Sequence, residues 1–227
     1  MAQRLNKYLA FHLGVSRREA DKLISDGIVT INGSITQLGS RVEDGNQVAI
    51  RGKNVIEKNN YSYLLLNKPV NYVCSRAQQG DSPTIYALLP KQLHNLKPVG
   101  RLDKNSSGLL ILTDDGDFAF SHTHPQFYKT KVYEVSINSP LEPLHQQMIS
   151  DFGITLEDGP SKLSLTPQDE SRLNWLVTMY EGRNRQIRRT FFSLGYEVTR
   201  LHRISFGPYQ LGDLQPGKYL ELKPSIY

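Results

Sequence analysis

Cysteine is nearly absent from this 227-residue sequence, which contains only Cys74. A single cysteine excludes an internal disulfide and any zinc or iron–sulfur site built from several thiolates, and it favours a reducing compartment. The sequence also lacks an apolar run of the roughly 20 residues that a membrane-spanning helix needs, and no signal-peptide pattern begins it. We therefore expect a cytoplasmic globular protein that does not associate with a membrane.

Motifs that bind metals or nucleotides are missing as well. The acidic run 114–117 lacks EF-hand spacing, because Ile111 and Thr113 occupy positions that need oxygen ligands. His122 and His124 have no carboxylate or thiolate partners in register. The sequence contains no Gly-x-Ser-x-Gly, no Walker loop and no Gly-x-Gly-x-x-Gly at a helix start. We therefore predict a protein without a metal or a cofactor.

The charge that is present is unevenly distributed. The net charge is +5, from 27 Lys and Arg against 22 Asp and Glu, which permits a nucleic-acid partner without identifying one. Residues 1–60 hold a net +3, and residues 181–203 hold a net +4 from six arginines and two glutamates. The rest of the chain is slightly acidic, so these two regions are the candidates for contact with nucleic acid.

The first 50 residues carry signals for two helices, a hairpin and a further strand. Leu5, Leu9 and Leu13 recur at every fourth position, which predicts a short helix. A second helix begins at a capping box formed by Ser16 and Glu19. Ala20, Leu23 and Ile24 form the predicted buried face of this helix, and Gly27 ends it. Asn32-Gly33 predicts a hairpin turn, and residues 47–50 predict a further strand.

Three basic residues, Arg17, Arg18 and Lys22, lie near the start of the second helix and away from its apolar face. On charge alone, solvated surface residues and nucleic-acid contacts are equally good interpretations. However, Ser-Arg-Arg-Glu-Ala-Asp-Lys-Leu-Ile followed by Gly-Ile-Val-Thr-Ile-Asn-Gly resembles the S4 RNA-binding domain over residues 3–50. The resemblance implies that Arg17, Arg18 and Lys22 contact phosphates of structured RNA, which supplies affinity rather than sequence readout.

A loop with an aspartate precedes a predicted strand in the second half of the chain. The polar residues 103–108 lead into the aliphatic run 109–112, which predicts a buried strand. Asp103 lies at the entrance of this strand, where functional groups are often displayed. Arg101 is two residues away, and a cation there would keep the carboxylate ionised. An exposed Arg/Asp pair in a surface loop is the more common interpretation of such a triplet.

Two further segments show regular patterns. Tyr133, Val135 and Ile137 alternate with less apolar residues, which predicts a strand with Tyr133 on its apolar face; an ordinary core tyrosine is the alternative. Residues 184–194 are predicted to form a helix that ends at Gly195, with arginines on one face that could simply be solvated. The residues assigned to the core here are Ile187, Phe191, Leu194 and Trp175.

Four ordered blocks resemble the RsuA/RluB-type ribosomal RNA pseudouridine synthases over residues 3–222. The sequence departs from that family at Asn71, where a glycine is usual after Asn-Lys-Pro-x, and this change affects a loop but no chemical group. The blocks are Leu66-Asn67-Lys68-Pro69, Gly100-Arg101-Leu102-Asp103 with Ser107-Gly108-Leu109-Leu110, Lys131-Val132-Tyr133-Glu134-Val135, and Glu181-Gly182-Arg183-Asn184-Arg185-Gln186-Ile187-Arg188-Arg189.

The resemblance implies roles for individual residues. Asp103 is the catalytic carboxylate, which attacks the ribose, attacks the uracil ring or assists glycal formation. Tyr133 stacks on the target uracil and takes a proton from the sugar, and Arg188 pairs with Asp103. The residues assigned to packing on the base are Leu201 and Arg101, and those assigned to RNA phosphates are Arg183, Arg185 and Arg189.

The resemblance also implies an α+β architecture. A small α/β S4 domain (residues 1–50) and a linker (51–60) precede a catalytic domain (61–227) that has a mixed, mostly antiparallel sheet and flanking helices. The expected enzyme is a cytoplasmic monomer that isomerises a flipped-out uridine in ribosomal RNA or in a ribosomal-subunit assembly intermediate. The last of the four blocks favours the large-subunit (23S) enzymes over the small-subunit (16S) enzyme.

Two other functions compete with this interpretation. The first is a non-catalytic RNA-binding or ribosome-assembly protein, which the presence of Asp103, Tyr133 and Arg188 in their motif contexts argues against. The second is a glycosidase that uses Asp103 with Asp114 or Asp115, which leaves the S4 resemblance unexplained. Release of tritium from 5-[³H]uridine-labelled ribosomal RNA distinguishes the three.

Overall fold

The computed structural model describes residues 2–58, 60–77 and 79–223, so the ends of the predicted domains (Met1 and residues 224–227) and Asn59 of the predicted linker lie outside the described residues. The chain divides into two compact units. The first comprises Met1–Ser62 with Asn95–Lys97, and the second Tyr63–His94 with Pro98–Tyr227. None of the helices in the described part of the chain has the length and hydrophobicity required of a membrane span.

The first unit packs two helices against short strands. Its main sheet is antiparallel, in the order β3-β2-β5-β6, and β1 pairs with β4. The elements are β1 (Gln3–Arg4), α1 (Leu5–Leu13), α2 (Arg17–Ser25), β2 (Val29–Ile31), β3 (Ser34–Ile35), β4 (Arg41–Val42), β5 (Val48–Ile50) and β6 (Lys53–Asn54).

The predicted helices and hairpin of this unit are confirmed. The Ser16 hydroxyl accepts a hydrogen bond from the Glu19 amide at 3.1 Å, and the Glu19 carboxylate accepts one from the Ser16 amide, so the capping box is complete. Asn32 and Gly33 both adopt positive φ (50° and 82°) at the turn between β2 and β3, the conformation of tight hairpins. Leu5, Leu9, Ala20 and Ile24 are buried in the core.

Residues 51–60, predicted to be a linker, are instead part of the first unit. Strand β6 pairs with β5, and the Tyr8 hydroxyl of α1 donates to the Glu57 carboxylate at 3.0 Å. The Lys58 amide donates to the His12 ring at 2.8 Å. The polar composition was misleading, because two of these residues, Glu57 and Lys58, bind side chains of α1.

The second unit is built on a nine-stranded sheet whose main order is β13-β14-β10-β15-β9-β7-β17; β16 pairs with β15 and β8 with β9. Its elements are β7 (Tyr63–Lys68), β8 (Lys97–Pro98), β9 (Ser107–Thr113), α3 (Gly116–Thr123), β10 (Lys131–Ile137), α4 (Pro143–Gln147), β11 (Ile154–Leu156), β12 (Gly159–Ser161), β13 (Ser164–Pro167), β14 (Asn174–Met179), α5 (Gln186–Phe192), β15 (Val198–Phe206), β16 (Tyr209–Gln210) and β17 (Tyr219–Glu221).

Along the main order and between β15 and β16 the pairings are antiparallel except that of β15 with β9, so the predicted mixed, mostly antiparallel architecture is confirmed. The parallel pair lies at the centre, and β9 is buried on both faces from Gly108 onward, which explains its continuous aliphatic sequence. Gly108 (φ +103°) faces Arg203 across this pair, where a β-carbon would collide with the Arg203 backbone. Glycine therefore lets β9 approach β15. Trp175 and Phe191 are fully buried, as predicted.

Helix α3 follows the aliphatic run, because the Asp115 carboxylate accepts hydrogen bonds from the amides of residues 117 and 118 and so caps it. One local prediction differs from the structure. Helix α5 spans Gln186–Phe192 rather than 184–194. It begins later because Arg185 adopts a left-handed conformation (φ 47°), which a helix cannot include.

Candidate active site

A cavity of about 510 Å³ opens on one face of the large sheet, within the range of small-molecule and nucleobase sites. Its floor is formed by β10 and β15, where Tyr133 lies opposite Arg203 and Val135 opposite Leu201. Residues two apart on a strand share a face, so Tyr133, Leu201 and Arg203 face the cavity together. Three segments that contribute residues to the walls are 99–106, 122–131 and 179–187.

Asp103 lies in the wall segment directly before β9, and its side chain is partly exposed (37%) to the cavity. The predicted position at the entrance of a buried strand is confirmed. The Asp103 carbonyl accepts a hydrogen bond from the Ser106 amide at 3.0 Å, which closes a tight turn. This turn directs the carboxylate away from the sheet and into the cavity.

A buried lysine holds the Asp103 loop from below. Lys68, at the end of β7, is fully buried and donates to the backbone carbonyls of Pro69, Asp103 and Ser106 at 2.7–3.0 Å. Burial lowers the pKa of the Lys68 ammonium to about 8. Three donors on one ammonium match three carbonyls, so Lys68 fixes the loop through its backbone.

The same loop is held from two other sides. Arg188 of α5 donates to the Asn105 carbonyl at 2.8 Å and to the Val198 carbonyl at 2.6 Å. The Cys74 thiol accepts a weak hydrogen bond from the Leu102 amide at 3.5 Å, and burial raises the pKa of that thiol. Arg188 thus ties the residues after Asp103 to the start of β15.

The cation nearest the Asp103 carboxylate differs from the one expected. Among the described residues, Arg185 is the ion-pair partner, with 3.9 Å between its Nη1 and Asp103 Oδ2. The predicted Arg188–Asp103 pair is wrong, because the Arg188 Nη atoms bind backbone carbonyls. Arg101 lines the cavity but forms no ion pair with Asp103 in the described part of the chain. Arg185 is half-exposed, so its attraction is screened by water.

Tyr133 and Leu201 provide the apolar part of the floor. Both are less than 10% exposed and line the cavity, so the predicted placement of Tyr133 on the buried face of its strand is confirmed. The Tyr133 hydroxyl has no protein hydrogen-bond partner among the described residues. A flat ring and an aliphatic side chain on one surface can hold a planar base between them.

Two floor cations were missed by the sequence analysis. Arg203 is 2% exposed, donates from Nε to the Leu109 carbonyl at 2.8 Å, and has a buried Nη2 without a partner. Burial, and secondarily the charge of Arg203, lower the pKa of Lys131 to about 8. Both cations lie over the Phe206 ring. Leu201 was assigned from the family resemblance, and strand alternation from it could have identified Arg203, which is two residues farther along the same strand.

The arginines that flank α5 are engaged within the protein. Arg183 and Arg189 both bind the exposed Asp158 carboxylate, at 2.8 Å and 2.6 Å. The hydrogen bond from Arg189 is the main cause that lowers the pKa of Asp158. Arg183 also donates to the carbonyls of residues 159 and 160. Their predicted role as free phosphate contacts therefore competes with a role in joining α5 to the β11–β12 hairpin.

The three basic residues of the S4-like helix α2, unlike the arginines around α5, are not engaged within the described part of the protein. Arg17, Arg18 and Lys22 are exposed on α2, and none of them has an ion pair or a side-chain hydrogen bond within the described residues. They are available to an external anion.

The glycosidase alternative requires Asp114 or Asp115 beside Asp103, and neither of the two is there. Asp115 caps α3 and accepts a hydrogen bond from the Tyr63 hydroxyl at 2.7 Å, and neither Asp114 nor Asp115 lines the cavity. Within the described residues, no three His, Cys, Asp or Glu side chains come close enough to hold a metal ion.

Comparison with known proteins identifies both units. Residues 62–193 match the model of the RNA pseudouridylate synthase family, and residues 3–48 match the S4 domain. A crystal structure of a pseudouridylate synthase superposes with a TM-score of 0.70 at 33% identity, covering 97% of this chain and 96% of that one.

Two curated relatives are similar over nearly their whole length. The ribosomal small subunit pseudouridine synthase A of Pasteurella multocida is 36% identical, over 96% of this chain and 95% of its own. The ribosomal large subunit pseudouridine synthase B of Bacillus subtilis is 37% identical, over 98% and 93%. The chain therefore belongs to the RNA pseudouridylate synthase family and carries an S4 domain in its N-terminal region.

Proposed function

We propose that this enzyme converts a uridine of ribosomal RNA to pseudouridine, with Asp103 as the catalytic carboxylate. The observation that carries the proposal is the position of Asp103 at the wall of a cavity whose floor holds Tyr133 and Leu201. The cavity has the size for one flipped-out nucleoside, and the two similar curated relatives are named as ribosomal-subunit synthases.

The reaction exchanges one bond to the ribose for another. The bond between C1′ and uracil N1 breaks, and its electron pair stays with the ring. The ring turns, C5 bonds to C1′, the C5 proton leaves and N1 gains a proton, so the composition is unchanged. The Asp103 carboxylate stabilises positive charge that develops at C1′, by covalent attack or electrostatically.

The floor of the cavity stabilises the negative charge that develops on the uracil when the bond breaks. A detached uracil ring carries negative charge on its oxygens, and the Lys131 and Arg203 cations provide a positive floor for it. The Tyr133 ring stacks on the base, and its unpartnered hydroxyl accepts or donates the proton in transit. Extruding the uridine costs roughly a few kcal/mol, which RNA contacts elsewhere offset.

The first test is tritium release from 5-[³H]uridine-labelled ribosomal RNA. The wild type releases tritium, and Asp103→Asn abolishes release while RNA affinity stays within about threefold, because the change removes one charge at a partly exposed site. Asp114→Asn is the matched control, since Asp114 lies outside the cavity, and it retains activity. Full turnover by Asp103→Asn would overturn the assignment of Asp103.

The ribosomal subunit is the second question. Identities of 36% and 37% to a small-subunit and a large-subunit enzyme do not separate the two. We propose the large-subunit RNA, on the basis of the Gly-Arg-Asn-Arg-Gln-Ile-Arg-Arg block. Mapping pseudouridines in both ribosomal RNAs of a deletion strain tests this choice, and loss of a small-subunit position would contradict it.

A further inference from the structure

The rim of the cavity carries a cluster of exposed rings. Phe120 of α3 is 50% exposed and Phe127 is 39% exposed, and both contact His124, which is also exposed. Their ring centroids are 4.7 Å (Phe120–His124), 5.7 Å (Phe120–Phe127) and 6.3 Å (His124–Phe127) apart. We call these three residues the rim cluster. Phenylalanines are normally buried, so two exposed together indicate a contact surface.

The rim cluster is continuous with the cavity. His124, Pro125 and Lys129 line the cavity wall, and Phe127 lies between them in sequence. Tyr128 adjoins the cluster, is 74% exposed and adopts a left-handed conformation (φ 45°). Such a conformation is costly for a residue with a β-carbon, and it exposes a further ring at the same edge.

The charge of this segment favours an anionic partner. Residues 118–131 contain Lys129 and Lys131 but no Asp or Glu, in a protein where acidic residues are nearly as frequent as basic ones. Exposed rings beside cations form the surface on which proteins stack unpaired bases and hold the connecting phosphates. An apolar protein partner would not require the lysines.

We propose that the rim cluster stacks on an unpaired base next to the target uridine. This inference rests on the proposed function, since it takes the cavity to hold the flipped uridine. Flipping one nucleotide removes a stacking partner from each of its neighbours, and an aromatic surface at the rim replaces that lost partner. The enzyme therefore prefers targets whose adjoining nucleotide is unpaired.

Substitutions can separate stacking on RNA from packing within the cluster. Phe120→Leu and Phe127→Leu keep apolar volume but lose the flat ring. The double variant raises KM for RNA about 5- to 50-fold, with kcat at saturating RNA within about threefold. The single variant Phe120→Trp, which keeps a flat ring at this position, has the wild-type KM. Phe152→Leu is the matched control, because Phe152 is 74% exposed and lies in the stretch 134–178, which contributes no residue to the cavity lining.

Fluorescence provides a test that does not depend on turnover. The native Trp175 is fully buried, so an added tryptophan at residue 120 reports on the surface. Protein-free single-stranded oligouridylate quenches Phe120→Trp, because a stacked base quenches an indole. It does not quench Phe152→Trp, and a duplex RNA of equal length quenches Phe120→Trp weakly.

The outcomes separate this proposal from the proposed function. Turnover by the wild type without quenching of Phe120→Trp overturns the stacking proposal and leaves the function intact. Equal quenching of Phe120→Trp and Phe152→Trp also overturns it, and so does a wild-type KM in the double leucine variant. Quenching by ribosomal particles but not by protein-free RNA assigns the cluster to a protein instead. Quenching without any turnover supports stacking while contradicting the function.

Discussion

The two basic regions of this protein use the same residue type in opposite ways. On α2, Arg17 and Arg18 are exposed and have no ion pair or side-chain hydrogen bond within the described residues. Around α5, Arg183 and Arg189 bind the Asp158 carboxylate, and Arg188 binds two backbone carbonyls. The arginines of α2 are therefore accessible to an external anion. Those around α5 mostly bind acceptors within the protein and hold the walls of the cavity together.

The difference shows that net charge does not locate an RNA contact by itself. The two regions carry a similar excess, +3 and +4, yet their cations differ in whether an acceptor lies within reach. An exposed cation without a partner contributes affinity for phosphates, and that affinity depends on salt. A cation bound to backbone carbonyls instead fixes the position of the loop that carries them. The two regions should therefore affect different kinetic parameters.

Removing Arg188 should have the largest effect. Arg188→Gln loses the bonds to the Asn105 and Val198 carbonyls, so the Asp103 loop keeps its bonds to Lys68 and Cys74 but loses this support and shifts from its position. Misplacement by about 1 Å costs roughly 100-fold in rate, so kcat for tritium release falls about 100-fold while KM for RNA stays within about threefold. Melting curves identify the temperature range in which the variant remains folded.

Arg185→Gln is the comparison for this variant. Arg185 is the ion-pair partner of Asp103, but at 3.9 Å and half-exposed it contributes little, so kcat falls no more than about fivefold. A larger loss in Arg185→Gln than in Arg188→Gln would show that direct charge on Asp103 outweighs the position of its loop.

The pH dependence should distinguish the regions next. Below about pH 8 the Lys68 ammonium has three protons for its three carbonyls; above that pKa the neutral amine has two, and one carbonyl loses its donor. We expect kcat to fall by up to about tenfold between pH 7 and pH 9, with RNA affinity unchanged, because arginines stay charged there.

Lys131 also has a pKa of about 8, so deprotonation of either Lys68 or Lys131 could cause the fall of kcat at alkaline pH. The pH profile of Lys131→Gln provides it. If the fall persists in this variant, Lys68 is responsible. If the fall disappears, the charge on the cavity floor rather than the Asp103 loop sets the alkaline limit.

The sequence predicted well what depends on local pattern. The capping box at Ser16, the turn at Asn32 and the strand position of Tyr133 follow from neighbours within a few residues, and all three are present. The location of Asp103 at a strand entrance follows from the same kind of signal.

The remaining features depend on contacts between distant segments. Lys68 and Asp103 are 35 positions apart, and Arg203 meets Leu109 across the parallel pair, 94 positions away. Arg185, the ion-pair partner of Asp103, adopts a left-handed conformation before α5, which the sequence pattern of a continuous helix over 184–194 does not reveal. Polar residues of 51–60 resembled a linker because their partners on α1 are more than 40 positions away.

The α2 cations should affect binding alone. Replacing Arg17, Arg18 and Lys22 together by glutamine raises KM for RNA about tenfold at moderate salt and leaves kcat unchanged. The slope of log affinity against log salt becomes shallower by about 2, because about three phosphate contacts are lost. Exposed Lys162, replaced by glutamine, is the control. A change in kcat with an unchanged salt slope would mean that α2 does not bind phosphates.

The smallest expected effect is the most direct test of the contrast. Asp158→Asn removes the carboxylate that Arg183 and Arg189 share, so both guanidiniums lose this anionic partner, although each keeps hydrogen bonds to backbone carbonyls. RNA affinity then rises up to about threefold and the salt slope steepens by up to about 1, measured by filter binding across salt concentrations. The melting temperature falls slightly because one of the contacts that join α5 to the β11–β12 hairpin is weakened. Unchanged affinity and slope would show that these two arginines do not reach RNA even when released, and their charge would then be wholly structural.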